Sequence, residues 1–126
     1  MRLKVTSVKV KTGLSKALNK ASTLSTIKSS MSSIGHKGLR RLINGTPTRS
    51  GKTASSWDME VEKNQNGYTL YYSNSNKISD GTPLVVLIVN GHGTGTGGYV
   101  PANNFVTPIV DSVVDEILRE VENIIE

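Results

Sequence analysis

Trp57-Asp58-Met59-Glu60-Val61-Glu62-Lys63-Asn64-Gln65-Asn66-Gly67-Tyr68-Thr69-Leu70-Tyr71-Tyr72-Ser73 is the stretch that decides the fold class. Trp57, Met59 and Val61 alternate with Asp58, Glu60 and Glu62, the two-residue period of a strand with one face in a core and one in water. Asn64-Gln65-Asn66-Gly67 is a turn signal, and Tyr68 to Ser73 returns as a second strand. The expectation is an antiparallel hairpin.

Upstream, the period changes. Leu14, Ala17, Leu18, Ala21, Leu24, Ile27, Met31 and Ile34 recur every three or four residues, and Leu39, Leu42 and Ile43 continue the stripe. This is the pattern of a long amphipathic helix, carried through the serine-rich stretch Ser22 to Ser33. Gly35 and Gly38 each cost about 1 kcal/mol in a helix interior. They predict a kink or break at Gly35-His36-Lys37-Gly38, with Asn44-Gly45 as the helix end. Before the helix, Arg2 to Lys11 alternates, with Leu3 and Val5 out of phase with Val8 and Val10. That predicts a strand with a bulge near Ser7.

Downstream, Thr46 to Ser56 reads as a loop with one helical turn. Asp80-Gly81-Thr82-Pro83 turns the chain, with Thr82 as a cap and Pro83 at a first helical position. Leu84 to Val89 is an apolar run that periodicity assigns to neither helix nor strand. Gly91 to Gly98 is a glycine-rich loop, and Tyr99-Val100-Pro101 is extended. Pro108 then opens a final helix, with Ile109, Val113, Ile117, Val121 and Ile124 as one stripe and Val110, Val114 and Ile125 widening it. Asp111, Asp115, Glu116, Glu120 and Glu122 lie off the stripe. The order strand, long helix, hairpin, short element, helix defines an α+β domain spanning 1–126, with no repeat and no linker.

Composition narrows the function. The chain has no cysteine, which excludes disulfides, thiolate metal sites and a cysteine nucleophile. Aromatics are only 5%, so the core is mainly aliphatic. No apolar run approaches the roughly 20 residues that span a bilayer, so no membrane partner is expected. Met1-Arg2-Leu3-Lys4 lacks a signal-type apolar segment, which predicts synthesis in a cytoplasm. The net charge of +5 conceals a split. Met1 to Trp57 holds twelve Lys or Arg and no Asp or Glu, whereas Asp58 to Glu126 holds three basic and ten acidic residues. The halves therefore carry +12 and −7. Such a split suits phosphate contact, assembly of basic face on acidic face, or a solvated helix face.

Chemical motifs are weak. Gly45-Thr46-Pro47-Thr48-Arg49-Ser50-Gly51-Lys52-Thr53 resembles a phosphate-binding P-loop, but five residues separate its glycines where four are required, and it follows a helix rather than a strand. Gly93-Thr94-Gly95-Thr96-Gly97-Gly98 has the spacing of a dinucleotide loop yet opens no helix. His92 and His36 lack the companions of a metal ligand or catalytic base, and backbone bonding or subunit contact suits them better. No nucleophile elbow is present. An enzyme, a metal and a cofactor are thus not expected. Arg40, Arg41, Arg49 and Lys52 form the densest basic cluster, without the aromatic interleaving of single-strand recognition.

Two segments together carry a resemblance. Pro47-Thr48-Arg49-Ser50-Gly51-Lys52-Thr53-Ala54-Ser55-Ser56-Trp57 has a proline, a Ser-Gly pair, then Ser56 and apolar Trp57 opening a strand. Gly91-His92-Gly93-Thr94, followed by Asn104-Phe105-Val106-Thr107-Pro108, has a glycine-threonine loop leading to a phenylalanine and a helix-starting proline. Both resemble signatures of the gene-product-ten-like family of tailed-phage minor capsid and tail-completion proteins. The resemblance implies a virion structural protein of the neck, tail terminator or tail end. It implies a six-fold or twelve-fold homo-oligomeric ring beside connector and tail-tube proteins, present in the host cytoplasm before assembly. DNA would pass through the lumen, with Arg40, Arg41, Arg49 and Lys52 facing it or a neighbouring subunit. The alternative is a small basic nucleic-acid-binding protein acting outside a virion.

Overall fold

The computed structural model describes residues 1–10, 17–47 and 51–125. Elements follow in the order β1 (Arg2–Lys9), α1 (Ala17–Gly45), α2 (Gly51–Ser55), β2 (Trp57–Asn64), β3 (Gly67–Asn74), α3 (Leu84–Asn90), β4 (His92–Gly93), β5 (Tyr99–Val100) and α4 (Val106–Ile125). The class is α+β, as expected. β1, β3 and β2 form an antiparallel sheet with β3 central, and β4 and β5 form a separate two-stranded ribbon.

The hairpin has the predicted register. Trp57, Met59 and Val61 pair with Asn74, Tyr72 and Leu70. Their shared face packs under α1 with Val8, Ile27, Met31, Ile34 and Leu42 as core. The opposite face carries Arg2, Lys4, Glu60 and Glu62 into solvent. Arg2 lies 3.6 Å over the Tyr71 ring and bonds Glu60 at 2.5 Å and Glu62 at 2.8 Å. Hydrogen bonds to Glu62 and then Glu60 hold its pKa above the ordinary arginine value. The bulge in β1 is real but lies earlier than Ser7: the register shifts between Lys4 and Thr6, so Val5 is the extra residue. Lys11 and Leu14 lie outside the described residues.

The expected break in the long helix is absent. α1 is continuous for 29 residues and passes straight through Gly35 and Gly38. The reason is packing. A Cβ on Gly38 would collide with the Tyr72 hydroxyl and a Val113 methyl, and one on Gly35 would meet Met59 Cε at 2.8 Å. These glycines let α1 sit close on both the sheet and α4. Tyr72, wholly buried, donates its hydroxyl to the Gly35 carbonyl at 2.7 Å. Burial pushes the Tyr72 phenol pKa well above its usual range. The helix ends at Gly45 as expected, but without a left-handed glycine cap. Thr46 closes it instead, donating its hydroxyl to the Leu42 carbonyl at 2.7 Å.

The apolar run 84–89 is helical, an assignment that periodicity leaves open. Pro83 is its N-cap rather than its first helical residue. Thr82 supplies no cap; its backbone N–H donates to Asp80 Oδ1 at 2.9 Å, and hydrogen bonds from Thr82 hold the Asp80 pKa below the usual carboxylate value. The last helix likewise starts before Pro108, at Val106. Asn104 Oδ1 accepts the Thr107 N–H at 3.1 Å. Pro108 is then the third helical residue, where a missing N–H leaves no bond unmade. Val113 and Ile117 of the predicted stripe are buried, and Val110, Ile109 and Val121 are half-buried against the core. The side chains of Ile124 and Ile125 lie outside the described set.

Candidate functional site

The two sequence segments singled out by resemblance meet in space. Trp57 opens β2 with its ring buried, and its indole N–H donates to Thr46 Oγ1 at 2.9 Å. Phe105 comes from the loop before α4 and stands edge-on to that ring, centroids 6.4 Å apart and planes at 89°. This T-shaped contact ties the α1–β2 connection to the start of α4. Gly45 adds to the seam, since a Cβ there would touch Phe105 and Ile109 at 3.4 Å. Pro47 is half-buried beside Thr46, and Ser50 and Arg49 lie outside the described residues. Gly51 begins α2 in open space. Ser56 is half-buried, its hydroxyl donating to the Lys52 carbonyl at 2.6 Å and closing the turn.

A buried polar knot beside this seam has no counterpart in the sequence reading. Asn74 Nδ2 donates to the Thr53 carbonyl at 2.8 Å, and Asn76 Nδ2 donates to Thr53 Oγ1 at 2.8 Å. Asn74 Oδ1 accepts the Asn76 N–H at 3.0 Å. Together these bonds pin α2 to the end of β3. Asparagines beside a turn give no sequence signal for such burial, because turns favour asparagine anyway.

Gly91 and Gly93 lie at the base of the β4–β5 ribbon, where His92 pairs with Val100 and Gly93 with Tyr99. The expected loop is therefore a short hairpin closed by the Thr94 N–H to Gly98 carbonyl bond at 3.0 Å. Its arm carries Tyr99, 66% exposed, and Val100, 41% exposed. Next to its base runs an apolar groove of about 340 Å³ between α3, α4 and the first residues of β1. Val86, Val89, Val110 and Leu3 line it, with Asn90, Asn104 and Asp111 also on its wall.

The histidines engage backbone. His92 Nδ1 lies 3.3 Å from the Leu87 carbonyl, and His36 Nδ1 lies 2.7 Å from the Ser32 carbonyl. No group of three His, Cys, Asp or Glu among the described residues is arranged to hold a metal. No helix among them is long and apolar enough to cross a membrane.

Arg49 of the basic cluster lies outside the described residues. Arg41 turns toward α4 and donates to Ser112 Oγ at 3.2 Å, while Arg40 is exposed. Lys52 is exposed on α2. The charge split is partly used within the chain: Lys37 bonds Glu116 at 2.5 Å, and Arg2 bonds Glu60 and Glu62. Each of these pairs joins a cation from the first half of the chain to an acid from the second. No family model, no curated protein and no solved structure matches this chain, so its own surfaces carry the functional argument.

Proposed function

We propose that this chain is a structural component of a tailed-phage particle, building a ring at the neck or tail end as a head-tail joining, terminator or completion protein. The observation that carries the proposal is the β4–β5 arm. A tyrosine 66% exposed on the ribbon, next to an exposed valine, lies outside the hydrophobic core. Tyrosine is enriched in protein interfaces, which supports a docking role for the arm. The arm and the apolar groove at its base are different surfaces. A contact between unlike surfaces is head-to-tail, the type that closes into a ring. The seam at Trp57 and Phe105 supports the same proposal, because it gives the two resembling segments a common structural purpose. Six-fold or twelve-fold closure, with connector and tail-tube proteins as neighbours, follows from the resemblance.

The test is deletion of the gene from the phage genome that carries it, with negative-stain electron microscopy of the lysate. Filled heads lying apart from tails, or tails of abnormal length, are the expected outcome. Normal infectious virions would overturn the proposal in favour of a nucleic-acid-binding protein that acts on its own.

A further inference from the structure

The side of α1 turned away from the sheet is built from hydroxyls and cations. Ser22, Ser25, Ser29, Ser33, His36 and Arg40 are all exposed there. Lys28, Ser29, Ser32, Ser33 and His36 border one shallow polar groove, and Arg40 lies one turn beyond His36. α1 contains no acidic residue along its length. Its other cations on the described surface are engaged or turned aside, Lys37 on Glu116 and Arg41 on Ser112. Lys28 and Arg40 have no acidic partner among the described residues. Lys28 is steadied from below by the Tyr68 ring, with Nζ 5.9 Å from its centroid. His36 Nδ1 is turned back to the Ser32 carbonyl at 2.7 Å.

We infer that this face of α1 binds the phosphate backbone of duplex DNA, with Lys28 and Arg40 as the cations and the serine hydroxyls as neutral donors. Lysine, arginine and serine are the side chains that hold DNA by its phosphates. The helix rise and turn place Lys28 and Arg40 about 18 Å apart along the axis and about 120° apart around it, so they flank the serine face on either side. No aromatic side chain lies on the face, which excludes base stacking and predicts binding without sequence preference. The inference rests on the proposed ring only for where the duplex runs; its chemistry belongs to the single chain.

The experiment is a fluorescence-anisotropy titration of a labelled duplex with the full chain across a salt series. Three proteins are compared: wild type, Lys28→Ser with Arg40→Ser, and Lys4→Ser with Lys9→Ser on β1. The two double variants lose the same charge, and circular dichroism checks the fold of each. The α1 variant should bind at least tenfold more weakly at low salt. Its log-log salt slope should be shallower by roughly 1.8, about 0.9 for each phosphate no longer neutralised. The β1 variant should keep the wild-type slope. No binding by the wild type, or equal losses in the two variants, overturns the inference. Virion assembly is a separate readout: normal virions after gene deletion would break the ring while leaving the slope difference, and a flat slope would break the phosphate face while leaving the ring.

Discussion

Gly35 and Gly38 in α1 are buried, and the positions their missing Cβ atoms would take are occupied by Met59, Leu70, Tyr72 and Val113. In the β4–β5 ribbon Gly95 and Gly97 stand in open space, and Gly91, Gly95 and Gly97 adopt positive φ. In the first region glycine permits close approach of a helix to a sheet and a second helix. In the second it permits a backbone path that other residues resist. One region is a close contact between a helix, the sheet and a second helix, and the other is an arm with little core of its own. The difference teaches that glycine in this chain marks contact distance in one place and conformation in another, and only the surroundings say which.

The largest effect should come from Gly38→Ala. The new methyl would strike the Tyr72 hydroxyl and Val113. Overpacking costs about 1–3 kcal/mol, and displacing the buried Tyr72 bond about the same again, against about 1 kcal/mol gained in helix propensity. Urea unfolding should show a net loss of about 2 kcal/mol or more. A gain of about 1 kcal/mol, the ordinary result for a helical glycine, would break the comparison.

Gly91→Ala should act locally. Gly91 has φ 78° and ψ 162°, and a Cβ there would collide with the Tyr99 hydroxyl and the Ala102 amide. That backbone region belongs almost wholly to glycine and costs other residues about 1–3 kcal/mol. Hydrogen exchange should quicken at the Thr94 and Asn103 amides, which bond the Gly98 and Ile88 carbonyls, while the amide of Leu70 keeps its protection. Uniform loss of protection would make the arm part of the cooperative core.

The smallest effect on stability should come from Tyr99→Ser, within about 0.5 kcal/mol, as for a surface substitution. The midpoint of thermal unfolding checks it. Under the proposed function the same variant should still impair particle assembly, as scored by plaque formation. A large drop in midpoint would assign Tyr99 to the core and remove the arm as a docking element.

Much of the fold is legible in the sequence. The hairpin 57–73 and the stripe of α4 are visible because strand and helix periods of two and 3.6 residues are local properties. The bulge in β1 shows as a phase slip, although pairing with β3 sets it at Val5 rather than near Ser7. Proline misleads in opposite directions. Pro83 and Pro108 both mark the right helices but sit one residue before and two residues after the first helical residue, because Asn104 and the backbone turn at Asp80 govern the starts. The candidate basic cluster is the least legible part. Arg40 and Arg41 are adjacent in sequence, yet a helix turns adjacent residues about 100° apart, and α4 occupies only one of the two sides.

The sequence by itself determined the class and order of elements, the aliphatic core, the charge split and the residue types that reach the surface. These depend on patterns within a few residues. Only the tertiary structure decided that α1 runs unbroken through its glycines, that Trp57 meets Phe105, and that Thr53, Asn74 and Asn76 form a buried knot. It also decided that Lys37 and Arg2 find acids within the same chain while Lys28 and Arg40 are exposed. These outcomes depend on what lies across the interface between elements, and the partners are tens of residues away along the chain. Propensity therefore predicts a break at Gly35 to Gly38, and packing on Tyr72 and Val113 overrides it.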